Sequence, residues 1–139
     1  MNQYKSLSVW TLMANFFIVI AAGHGIGTLG LLEFYFISNL LDANDTPSFD
    51  SILVSKLFYS AFINFFGQLS ILTAFFTKRK LSTGLKLLGL LSLVLAFCIL
   101  LSYLWNERTI IITIITAIPF IILSILLSFR SLKNEYKTT

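Results

Sequence analysis

The first apolar stretch of this chain, Ser8 to Leu41, is too long to be one simple element. As a straight helix its 34 residues would reach about 50 Å. The hydrocarbon core of a bilayer is about 30 Å thick. A helix here has to tilt, project from the membrane, or break. Gly23, Gly25, Gly27 and Gly30, four of the seven glycines, sit in the middle of the stretch and mark the place for a break.

Three further apolar stretches follow, separated by short polar connections. We place the four spans at about 8–41, 52–76, 83–105 and 109–129. Hydrophobic residues make up 57% of the 139 residues and charged residues 12%. A soluble domain carries roughly 25% charged residues, and one of this size could not bury so much apolar surface. A lipid solvent removes that conflict. A cleavable signal peptide at Ala21-Ala22-Gly23 is disfavoured, because the apolar run extends well beyond those alanines. The expected fold is therefore all-α: one domain, 1–139, with four transmembrane helices in an up-down-up-down bundle.

The net charge of +4 is divided among short connections, so it reads as a topology signal and not as a nucleic-acid surface. With the N-terminus inside, Lys5, Lys78, Arg79, Lys80, Lys86, Arg130, Lys133 and Lys137 face the cytoplasm, and only Lys56 and Arg108 lie outside. Both termini are then cytoplasmic. The bias toward Ile, Phe, Asn and Lys fits an AT-rich bacterial gene, which makes the bacterial inner membrane the expected location. The loop 42–51 carries Asp42, Asp45 and Asp50 and no base.

In lipid, helices associate through small residues and interhelical hydrogen bonds. Gly23, Gly27 and Gly30 would share one helical face. Span two offers Ser60, Asn64, Gly67, Gln68 and Ile71, span three Gly89, Ser92 and Ala96, and span four Thr109, Thr113, Thr116 and Ser124. Pro119 should kink span four. So many seams point to a homo-oligomer, with the bilayer and a cytosolic protein as further partners. Lys78, Arg79, Lys80, Arg130 and Lys133 would meet that protein or anionic lipid. No direct contact with nucleic acid is expected.

The polar candidates inside the spans are Asn15, His24, Glu33, Asn64 and Gln68. An ionisable group at membrane depth is a functional candidate by default. His24 has three readings: a packed neutral side chain, a proton relay, or a haem ligand whose second histidine would come from another copy. Glu33 would pair with Lys56 near the outer surface. Asn15 and Glu33 share a face of an ideal helix, at opposite depths. Asn64 and Gln68 lie one turn apart and would serve as interhelical glue or line a polar pathway.

Gly25-x-Gly27-x-x-Gly30 matches a dinucleotide fingerprint in letters alone, because it lies in a membrane-length apolar run without the strand–turn–helix context the fingerprint needs. One histidine and one cysteine, Cys98, leave little material for a metal site or a Cys–His pair. Cys98 reads as apolar filler. No enzyme and no cofactor is expected.

In size, span number and inward termini the chain resembles the four-span membrane subunit of Kiwa-type bacterial anti-phage defence systems. The resemblance covers the whole chain in layout, and no functional residue is carried over. It implies a homo-oligomeric membrane sensor that holds a cytosolic nucleic-acid-binding effector and responds to envelope disturbance. The leading expectation is thus a non-enzymatic inner-membrane subunit that anchors or signals to a cytosolic partner. A small oligomeric transporter or channel with a polar intramembrane pathway is the second, and a haem or redox anchor the third.

Overall fold

The computed structural model describes residues 3–22, 25–41, 52–77, 79–105 and 110–136. The chain is mostly helical. Its elements are α1 (Gln3–Phe16), β1 (Val19–Ala22), β2 (Gly25–Thr28), α2 (Leu29–Leu41), α3 (Ile52–Thr73), α4 (Arg79–Leu104) and α5 (Ile110–Tyr136). Within α4 and α5, the segments Leu81–Leu104 and Ile110–Lys133, 24 residues each, are long and apolar enough to cross a membrane.

The first apolar stretch is broken, and the break is more elaborate than a bend. The expectation of an all-α chain is corrected here. Residues between α1 and α2 form a two-stranded antiparallel hairpin, in register Val19↔Thr28, Ile20↔Gly27, Ala21↔Ile26 and Ala22↔Gly25. The Phe17 amide donates to Met13 O (3.1 Å) and the Ile18 amide to Asn15 O (3.2 Å), which closes α1 with a tightened turn. The Leu29 amide then donates to Ile18 O (2.8 Å), so the chain leaves the hairpin where it entered. The Thr28 hydroxyl accepts from the Leu31 amide (3.4 Å), in the position of a helix N-cap. One orphan donor at the α1 end, the Val19 amide, is satisfied across the fold by the Thr116 hydroxyl of α5 (3.0 Å).

This path overturns one further expectation. Gly23, Gly27 and Gly30 do not form one helical seam: Gly27 lies in β2 with open space where a Cβ would be, and Gly23 lies outside the described residues. Gly30 makes a close approach, with the Phe16 ring against the position a Cβ would take. Helix α1 packs mainly on α5, α2 on α3, α3 on α4 and α4 on α5, so the bundle closes as a ring, and β1 also lies on α5.

The tightest seam is between α3 and α4. A Cβ on Gly89 would fall 2.7 Å from Gly67 O and 2.6 Å from Ile71 Cγ1, and one on Gly67 would fall 2.9 Å from Gly89 O. Two glycines facing each other let the backbones touch. The Ser60 hydroxyl donates to Ala96 O (2.9 Å) two turns away, and Ser82 to Ala74 O (2.7 Å) at the α3–α4 corner.

The distribution of polarity is the reverse of a water-soluble bundle. On α5 the buried face is Thr113, Ala117, Phe120, Ser124, Leu127 and Ser131, while Ile111, Ile115, Ile118, Ile122 and Ile125 are exposed. Pro119 sits on the exposed side and the helix continues through it. Span ends shift a little from expectation: α3 stops at Thr73, α4 starts at Arg79, and α5 runs on to Tyr136 past Arg130 and Lys133.

Gly89→Val should lower stability by about 1–3 kcal/mol through overpacking, whereas Gly27→Ala should leave it unchanged. Reversible unfolding of the purified variants in mixed micelles measures both.

Candidate polar centre

The hairpin brings together side chains that a continuous helix would hold far apart. Asn15, in the last turn of α1, and Glu33, in the second turn of α2, meet Asn64 and Gln68 of α3. Asn15 and Asn64 have no exposed surface and Glu33 is 4% exposed. The opposite depths expected for Asn15 and Glu33 are corrected, since the extruded hairpin removes the helical rise between them.

The hydrogen bonding is reciprocal. Asn15 Nδ2 donates to Asn64 Oδ1 (3.2 Å), and Asn64 Nδ2 donates back to Asn15 Oδ1 (2.9 Å). Asn64 Nδ2 also donates to Glu33 Oε1. Gln68 Nε2 donates to Asn15 Oδ1 and to Glu33 Oε1, at 3.0 Å each. Two amide nitrogens of α3 therefore bridge one oxygen from α1 and one from α2. One helical turn of α3 fastens both halves of the broken stretch, which explains why its two amides stand at i and i+4.

The expected pair between Glu33 and Lys56 is absent. Lys56 stands two turns before Asn64 on α3, about 12 Å along the axis. The carboxylate instead has neutral partners, and no ion pair reaches it among the described residues. Beside it in the chain, Phe34 packs edge-on against Phe16, with centroids 6.5 Å apart.

The remaining candidates are placed as follows. Ser60 and Gly67 lie in the α3–α4 seam, and Gly30 faces Phe16. Arg130 and Lys133 are exposed at the end of α5, and Arg79 and Lys80 open α4. Lys5 on α1 is exposed and Lys86 on α4 is half-buried. His24, Lys78 and the aspartates of 42–50 lie outside the described residues. No group of three or more His, Cys, Asp or Glu that could hold a metal occurs among the described residues. Cys98 is exposed, on an open apolar groove between α4 and α5, where a buried filler was expected.

Sequence reasoning picked all four members of the centre but did not join Asn15 and Glu33 to Asn64 and Gln68. The available signal was the pair of short β-compatible runs, Val19–Ala22 and Gly25–Thr28, separated by Gly23-His24, a two-residue hairpin pattern. No protein-family model, curated protein or solved structure matches this chain.

Asn64→Ala removes donors to both Asn15 and Glu33 and should cost about 1–3 kcal/mol. Glu33→Gln keeps the shape and an acceptor and should cost less. In a double-mutant cycle, Asn15→Ala and Asn64→Ala should couple by about 0.5–3 kcal/mol, read from the same micelle unfolding.

Proposed function

We propose that this chain is a non-enzymatic, multi-pass protein of the bacterial inner membrane that conducts a small cation through a polar intramembrane centre. The observation that carries the proposal is Glu33. It is a buried carboxyl group at the break in an apolar stretch, held by amides and by no basic side chain among the described residues. Discontinuous helices that expose polar groups near the membrane midplane are the architecture from which ion and substrate sites of transporters are built. The supporting context is the outward Ile and Leu surface of α4 and α5, which suits lipid. In this reading the broken first stretch and α3 complete a four-span bundle with both termini cytoplasmic, and copies assemble into an oligomer.

A second reading keeps the chain as an anchor for an acidic cytosolic protein. Exposed Arg130 and Lys133 favour it. In its most specific form the chain is the membrane sensor of a Kiwa-like anti-phage complex. A native mass containing a stoichiometric soluble subunit would support that reading.

The test of the first reading is reconstitution of the full chain into liposomes under an imposed Na+ or H+ gradient, with dye readout. Wild type should dissipate one of the gradients at least tenfold faster than empty vesicles, and Glu33→Gln should return the rate to that of empty vesicles. Wild-type vesicles as tight as empty ones would remove transport from consideration.

A further inference from the structure

We propose that the free edge of β2 joins two copies of this chain. Ile26 pairs with Ile26 of a second copy, and the two hairpins become one four-stranded antiparallel sheet across a twofold axis. This rests on the membrane reading above and names the surface through which its copies assemble.

The alternation of the hairpin ladder shows which groups that edge presents. In an antiparallel pair, rungs that exchange N–H···O bonds alternate with rungs that do not. The Val19 amide donates away from β2, to the Thr116 hydroxyl (3.0 Å), so Val19↔Thr28 is a rung without such bonds. The bond from the Leu29 amide to Ile18 O, one rung further out, fits that alternation. Two rungs inward, Ala21↔Ile26 is again a rung without them. The Ile26 N–H and C=O therefore point away from β1. Strand β1 lies on α5, but no third strand covers β2 among the described residues. Ile26 is 78% exposed, and no hydrogen bond reaches its outward amide or carbonyl among the described residues.

Depth makes that edge costly. Thr116, which holds the base of the hairpin, lies about 9 Å inside the end of the apolar segment Ile110–Lys133. Water would satisfy an open strand edge at a surface. Lipid tails offer neither donor nor acceptor, and open sheet edges do not occur against hydrocarbon. A second β2 offers both groups at the right spacing. About a twofold axis through the Ile26 rung, each copy's N–H meets the other's C=O, so the edge is complementary to itself. The same pairing sets the two Ile26 side chains beside each other on one face of the sheet. Gly27 then faces Gly25 of the second copy, and the open space where its Cβ would be leaves that approach clear.

The experiment is the mass of the full chain in mild detergent, by light scattering, paired with oxidative cross-linking in membranes. Wild type should be dimeric. Ile26→Pro removes the outward N–H, which serves no bond within the chain, and an edge strand tolerates proline there. It should weaken dimerisation at least tenfold. Ile26→Val keeps both backbone groups and should stay dimeric. In a Cys98→Ser background, Ile26→Cys places two thiols on Cα atoms about 5.5 Å apart, within disulfide reach. It should cross-link at least tenfold faster than Leu91→Cys, on the exposed face of α4. A monomeric wild type overturns the proposal. So does a dimer indifferent to Ile26→Pro, or cross-linking no faster at position 26 than at 91. Where Ile26→Pro fails to fold, the cross-linking rates decide. Liposome flux separates this inference from the reading beneath it. Flux from a monomeric chain rejects the interface and keeps transport, while paired hairpins without flux keep the interface and reject transport.

Discussion

A carboxyl group out of water needs hydrogen-bond donors, and much of this fold follows from supplying them to Glu33. The donors come from α3, as the amides of Asn64 and Gln68 one turn apart. Those amides also hold Asn15, so the same turn of helix fixes the end of α1 and the start of α2. Between those points the chain folds into a hairpin whose first strand packs on α5. The hairpin in turn needs its own backbone groups satisfied, and the Thr116 hydroxyl on α5 takes the first of them. The polar centre thus reaches three elements directly and a fourth through the hairpin.

The packing supports this centre from the other side. Gly67 lies between Asn64 and Gln68 on α3 and faces Gly89 of α4. Without side chains at that crossing, α4 can sit close enough to fix α3, so the amides are presented at a set height. Phe97 and Phe120, edge-on at 6.2 Å, fill the space between α4 and α5 further along. The α3–α4 seam is of the kind in which helices associate through small residues and interhelical hydrogen bonds.

Some of this was open to reading from the residues alone. Long apolar stretches with short basic connections establish helices suited to lipid, because hydropathy and length are properties of local sequence. Length against bilayer thickness required residues 8–41 to tilt, project or break, and the glycines marked the place for a break. The importance of Asn15, Glu33, Asn64 and Gln68 also followed, because polar groups in apolar runs are costly. Tertiary structure alone decided which of them meet. Helical arithmetic assumed an unbroken α1–α2 and so set Asn15 and Glu33 at different depths, paired Glu33 with Lys56, and put Gly27 on a seam. A hairpin closed by one backbone bond, Leu29 to Ile18, cancels that arithmetic. Whether ten residues continue a helix or fold back on themselves depends on what α3 and α5 offer at that point, and that is a property of the assembled bundle.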